Sequence, residues 1–205
     1  MLLIYHGLGC FKIQGKDVAI LTDPYADSVG WKLAKTKVEI VTVSDPESKF
    51  ANNTGRIIGE PFLIQSPGEY ERHSVFVYGI PPTESEYPCV YVLEIEGMVV
   101  AHLGLTKNPP SDKQLEFLEG VDVLLLPLQS LGNQAAKLVS QIEPRIVIPM
   151  YYSLPGLTVD MPDAASFAKE MGQTFPSEKA ETKLKLTKKN LPAEETLVIF
   201  LQKTS

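Results

Sequence analysis

Side chains able to do chemistry are few in this sequence, and they gather where strands are expected to end. The chain holds three histidines (His6, His73 and His102) and two cysteines (Cys10 and Cys89). The cysteines lie far apart with no Cys-x-x-Cys spacing, so neither a disulfide framework nor a cysteine-rich zinc site is written here. Three apolar runs stop at ionisable or polar groups. Val38 to Val43 leads into Ser44-Asp45-Pro46-Glu47-Ser48-Lys49, Met98 to Ala101 into His102, and Ile146 to Met150 into Tyr151. A further run, Val18 to Thr22, is closed by Asp23-Pro24. Carboxylates and an imidazole at strand ends are of the types that can ligate metal ions. The plainer reading of each is equally concrete. Asp45-Pro46-Glu47-Ser48 is ordinary turn composition, Asp23 caps a turn before its proline, and a strand-end histidine is more often hydrogen-bonded structure than a ligand. Gly7-x-Gly9 is too short for a phosphate loop, lacking the third glycine and a following helix.

The elements that must position these groups change character along the chain. Leu2 to Tyr5 and Phe11 to Ile13 flank the glycines of His6-Gly7-Leu8-Gly9 as a hairpin or sharp bend, and Val18 to Thr22 forms a third strand. Trp31 to Lys37 reads as a short helix or turn. The β-branched run Val38 to Val43 reads as a strand covered on both faces. Strands follow at Ile57 to Ile64, Ser74 to Tyr78, Val90 to Ile95 and Met98 to His102, the last two joined by a Glu96-Gly97 turn. Ser111-Asp112-Lys113-Gln114 then matches a capping box, predicting a helix to about Glu119 that stops at Gly120. Val121 to Pro127 is a buried strand, 133–142 a helix, 145–148 a strand and 162–171 a helix ending at Gly172. Lys183 to Lys189 alternates as a strand with one wet face, and Leu197 to Leu201 closes the chain. Antiparallel strands first and strand-helix alternation later predict an α/β or α+β layered fold, with ligands bound outside the carboxyl ends of strands.

Composition removes several function classes. At 205 residues the chain fits one domain, 1–205, and 44% hydrophobic with 21% charged residues is the composition of a folded globule. The formal charge of −6 gives no electrostatic reason to bind a nucleic acid backbone. No segment approaches a membrane span and no export signal opens the chain, so cytoplasm is the expected compartment. The run Lys179, Lys183, Lys185, Lys188 and Lys189 reads as the wet face of an edge strand, with a phosphate-binding stripe as the alternative.

The same strand ends resemble the metallo-β-lactamase superfamily, in particular its small hydrolases related to ascorbate-6-phosphate lactonases. Tyr5-His6-Gly7-Leu8-Gly9-Cys10-Phe11 is similar to that branch's Trp-x-Gly-His-x-x-Phe opening, and Leu21-Thr22-Asp23-Pro24 to its Asp-Pro strand end. Ser66-Pro67-Gly68-Glu69-Tyr70-Glu71 resembles a Pro-Gly-Glu-Tyr-Glu turn, and Ala101-His102-Leu103-Gly104 a His-x-Gly-Asp segment. Ile146-Val147-Ile148-Pro149-Met150-Tyr151-Tyr152 resembles Ile-Val-Ile-Pro-Met-His-Tyr. The resemblance implies an α/β (α+β) fold of four layers, an αβ/βα sandwich. It also implies one or two zinc ions held by an H-x-H-x-D-H loop and further histidines.

That chemistry is largely absent from the residues. The loop corresponds to Asp45-Pro46-Glu47-Ser48-Lys49-Phe50, the opening histidine falls on Leu8, the Asp of His-x-Gly-Asp on Leu105, and the late histidine on Tyr151. Only His102 keeps its type; His6 and His73 fall on no ligand position. The expectation is a pseudoenzyme without cofactor, whose pocket is filled by Phe50, Leu8 and Leu105 or retained for an unidentified small molecule or protein. The alternatives are a divergent hydrolase of lactones or phosphoesters with one Zn or Mn ion on Asp45, Glu47 and His102, and a metal-free hydrolase using Lys49, Tyr151 and a carboxylate. The remnant pocket is expected to gather Asp23, Asp45, Glu47, Lys49, His102 and Tyr151. Lys49 would stand in electrostatically for the lost cation beside Asp23, Asp45 and Glu47.

Overall fold

Strand side chains alternate between two faces, and here each face serves a different apolar layer. The computed structural model describes residues 1–175 and 180–204. Its strands are β1 (Leu2–Gly7), β2 (Cys10–Gln14), β3 (Ala19–Thr22), β4 (Thr36–Lys37), β5 (Ile40–Thr42), β6 (Ile57–Ile58), β7 (Phe62–Ile64), β8 (Gly68–Arg72), β9 (Val75–Ile80), β10 (Val90–Ile95), β11 (Met98–His102), β12 (Val123–Pro127), β13 (Ile146–Met150), β14 (Lys183–Lys185) and β15 (Leu197–Val198). The α-helices are α1 (Asp112–Leu118), α2 (Leu128–Leu131), α3 (Ala135–Ile142) and α4 (Ala165–Glu170). One six-stranded sheet has the order β14-β1-β2-β3-β5-β7, a seven-stranded sheet the order β15-β13-β12-β11-β10-β9-β8, and β4 pairs with β6 as a ribbon.

The main core lies between the two sheets. Tyr5, Phe11, Ile13, Ile20 and Ile40 of the first sheet meet Tyr91, Leu93, Val100, Leu125 and Ile148 of the second. Their strand neighbours Val92, Ala101, Leu124, Leu126 and Val147 face the other way, against Leu118, Leu131, Leu138 and Phe167 of the four helices. The four α-helices of the described residues therefore cover the second sheet. On the outer face of the first sheet, Lys12 of β2 stands in register beside Leu21 of β3, which pairs with Val41 of β5. Leu21 and Val41 are fully buried there. Lys12 Nζ reaches Thr36 Oγ1 and Lys37 O, both at 3.4 Å, so the β4–β6 ribbon lies over this face. The layered architecture is the expected one, with the ribbon and 3₁₀ turns at Asp27–Val29 and Thr54–Arg56 in place of helices on the first sheet.

Local chemistry accounts for the element ends. Ser111 accepts from the Gln114 backbone and Gln114 bonds back to Ser111, the capping box the sequence predicts. Glu96 and Gly97 take positive φ of 52° and 73°, as a two-residue hairpin turn of this hand requires. Four expectations need correction. Residues 31–35 form no helix, because the Trp31 indole is committed to Pro155 O at 3.1 Å and Thr36 is committed to β6. The run 57–64 is two strands, broken at Gly59 with φ 88°. Gly68–Arg72 is an edge strand, not a turn, because its backbone pairs with β9 from Gly68↔Gly79 to Arg72↔Val75. The strand expected over 183–189 stops at Lys185, and 188–190 is a 3₁₀ turn. Lys183 and Lys185 do sit exposed on an edge strand, whereas Lys179 lies outside the described residues. No helix among the described residues is long and apolar enough to cross a membrane.

Candidate functional site

The inter-sheet core ends in a buried polar knot just past the carboxyl ends of β3, β5, β11 and β13. β3 and β5 are parallel, as are β11, β12 and β13, so these ends open on one edge of the sandwich. Asp23 follows β3 at φ 37° and is buried. Its Oδ1 accepts the Ser44 N–H at 2.7 Å. Its Oδ2 accepts the Ser44 hydroxyl at 2.7 Å and the Tyr151 hydroxyl at 2.9 Å. His102 closes β11 on the inter-sheet face, and its Nε2 lies 2.9 Å from Gly9 O and 4.0 Å from Asp23 Oδ2. A carbonyl only accepts, so Nε2 carries a proton. The same carbonyl accepts the Thr22 hydroxyl at 2.7 Å, while Thr22 Oγ1 accepts the Phe11 N–H at 3.0 Å.

Backbone conformation aims these groups. Met150 and Tyr151 are consecutive, yet both belong to the inter-sheet core, whereas Tyr152 joins the helical layer. Tyr151 has φ 54°, a left-handed conformation uncommon for a bulky residue, which brings its ring inward out of strand alternation. The ring fits because position 9 has no side chain: a Cβ on Gly9 would collide with the Tyr151 hydroxyl and stand 2.5 Å from Cζ. Burial pushes the Asp23 carboxyl above the usual range, opposed by His102 and by the hydrogen bonds from Ser44 and Tyr151. Burial likewise drives the Cys10 thiol well up, with the nearby Asp23 acting in the same direction.

Of the expected pocket residues, the structure gathers Asp23, His102 and Tyr151 and leaves out Asp45, Glu47 and Lys49. Asp45 is half-buried and its Oδ1 accepts the Glu47 N–H at 3.0 Å, which is the turn-forming role of an aspartate before a proline. Glu47 and Lys49 are exposed. Lys49 makes no salt bridge among the described residues, and hydrogen bonds from Ser44 and Tyr151, not an ammonium, satisfy Asp23. The proposed electrostatic role of Lys49 is thereby corrected: its side chain ends in solvent while Asp23 is sealed. Leu8 is buried, and Phe50 and Leu105 are partly buried against the core. From the sequence, Ser44 and Thr22 have no role and Gly9 only that of a bend, since small residues at strand ends and turns carry no chemical signature.

A zinc ion in such a fold needs several lone pairs at about 2.0–2.2 Å. Here both Asp23 oxygens and His102 Nε2 are already engaged by protein partners. His102 Nδ1 is buried without a partner, a single nitrogen. Asp45, Glu47 and His102 form no cluster, and no group of three His, Cys, Asp or Glu side chains able to hold a metal occurs among the described residues. The residues present do not fit the ion this architecture implies.

Residues 2–151 match a family described as the beta-lactamase superfamily domain. The chain is a member of the metallo-β-lactamase superfamily. Within it, a UPF0173 protein of Pyrococcus abyssi is 30% identical over 76% of this chain and 85% of its own length. A UPF0173 metal-dependent hydrolase of Thermococcus onnurineus is 29% identical over 67% of each chain. Among solved structures, a protein of Thermotoga maritima provisionally assigned to the Zn-dependent hydrolases of the metallo-β-lactamase superfamily superposes with a TM-score of 0.77. It is 24% identical and covers 98% of this chain and 100% of its own. At that identity the likeness establishes the metallo-β-lactamase fold alone.

Proposed function

We propose that this chain is a pseudoenzyme of the superfamily: a metal-free, non-catalytic binding or regulatory protein on the scaffold of metal-dependent hydrolases. One observation carries the reading. Asp23, set beside Tyr151 and His102, two positions that correspond to metal ligands in the resemblance, has both oxygens satisfied by Ser44 and Tyr151, inside a buried knot. Binding an ion there would strip Asp23 of hydrogen bonds made by buried donors and leave those donors unpaired. The competing hydrolase on Asp45, Glu47 and His102 finds no support in the placement of Glu47, which is exposed while His102 is fully buried. Its support is the name of the Thermococcus relative.

Elemental analysis of protein purified without chelator tests the proposal. Substoichiometric zinc and manganese are expected, with a thermal midpoint unmoved by chelator or by added metal. One equivalent of tightly held metal, with a midpoint that falls on chelation, would overturn it.

A further inference from the structure

Beyond the sealed knot, and whether or not the metal-free reading holds, the geometry points to a binding site for a small aromatic monocarboxylate between Trp31, Tyr152 and Lys203. The cavity there has a volume of about 360 Å³, within the range of small-molecule sites. It lies at the same sheet edge as the knot, where Tyr152 continues β13 and Lys203 follows β15. Four aromatic rings, those of Trp31, Tyr152, Phe175 and Phe200, stand among its aliphatic walls. Tyr152 meets Phe175 and Phe200 edge to face at ring separations of 5.5 and 5.9 Å, and Phe175 and Phe200 stand 4.8 Å apart. Rings arranged this way offer faces and edges to another ring, which aliphatic chains use less well.

The polar groups of the aromatic walls are spent internally. The Trp31 indole N–H donates to Pro155 O at 3.1 Å, and the Tyr152 hydroxyl donates to Leu201 O at 3.2 Å. Gln202 lines the cavity with an exposed side chain, and Lys203 supplies its one cation. The Lys203 ammonium gives one hydrogen bond, to Thr204 O at 2.7 Å, and lies 5.2 Å from the Trp31 ring centroid. It pairs with no carboxylate among the described residues. An ammonium has three donors, so two remain for a ligand. The Lys203 stem and Trp31 lie close over Gly7: a Cβ there, where φ is 108°, would stand 2.6 Å from Trp31 Cζ3 and 3.0 Å from Lys203 Cδ. An apolar aromatic cavity with one positioned cation selects a flat ring bearing a single negative charge. A dianion would find only one cation there, with the Gln202 amide beside it.

Trp31 is the only tryptophan of the chain, so its indole N–H gives one unambiguous nuclear magnetic resonance signal at the site. Titration of the ¹⁵N-labelled full chain with phenylacetate is expected to shift that signal saturably, with phenylacetamide and hexanoate each binding roughly tenfold more weakly. Lys203→Met should bring phenylacetate down to the affinity of the amide, and Lys203→Arg should retain it. Absence of a saturable shift, or equal affinity for phenylacetate and either comparison compound, would overturn the assignment on the unmodified chain alone. The metal analysis is a separate measurement, so the two proposals fail independently.

Discussion

Tyr151 donates its hydroxyl proton to Asp23 Oδ2 across 2.9 Å, joining positions 128 residues apart that belong to different sheets. The bond places a neutral phenol against a buried carboxylate just past the ends of β3 and β13. Burial and the adjacent Asp23 carry the Tyr151 hydroxyl well above its ordinary range, so it stays a donor.

Tyr151→Phe keeps the ring and deletes the donor. Asp23 retains its two bonds from Ser44 but loses part of its compensation for burial, at a cost of about 1–3 kcal/mol. Urea unfolding should register this as a lower midpoint with an unchanged slope. A midpoint equal to that of the unmodified protein would show that the bond contributes nothing net.

Gly9→Ala forces a methyl into the Tyr151 ring, and overpacking of this kind costs about 1–3 kcal/mol. The clash is specific to one partner. Combined with Tyr151→Ala, the glycine substitution should cost much less than it does alone, and a double-mutant cycle reads that coupling directly. Additive losses would mean that the constraint at position 9 lies elsewhere.

Acid sensitivity should trace in part to His6. Burial, reinforced by Lys12 and Lys203, lowers its pKa from 6.5 to about 4. Below pH 6.5 the unfolded chain takes up this proton before the folded one does. The contribution to stability is therefore full above pH 6.5 and lost as the pH falls towards 4, by up to about 3 kcal/mol. Asp23, with its raised pKa, works in the opposite sense, gaining stability as pH falls through its folded value. Unfolding free energies of the parent and His6→Gln chains between pH 7 and 4 should converge or cross, and parallel curves would exclude His6 as the source.

The outer loop should matter little. Glu47→Ala and Lys49→Met alter exposed side chains and are expected to change stability by no more than about 0.5 kcal/mol. Thermal midpoints check this, and a large drop in either would return these residues to the site.

Much of the sandwich is legible in the sequence because burial on alternate faces imposes period two. Val90 to Ile95 and Met98 to His102 read directly as a hairpin, and the Ser111–Gln114 box announces α1. Elements set by distant partners are not legible. Gly68–Arg72 carries turn residues and becomes a strand only by pairing with β9, and Trp31 is held by a carbonyl at Pro155. The site divides the same way. Asp23, His102 and Tyr151 are conspicuous at strand ends, but nothing local says that Asp23 will be sealed while Asp45, with similar neighbours, turns outward. That difference rests on Ser44 and Gly9, whose importance comes from what surrounds them.

The carbonyl of Gly9 takes a hydrogen bond from Thr22 in its own sheet and one from His102 in the other. Apolar packing between two sheets is non-directional and tolerates sliding, because a leucine shifted by one pleat still finds apolar neighbours. A carbonyl and an imidazole do not tolerate it, since their bond is lost within a fraction of that distance. With the Asp23–Tyr151 bond it forms a pair of dowels through the sandwich, which fix the alignment of one sheet on the other at the edge where the interior is otherwise free to slip.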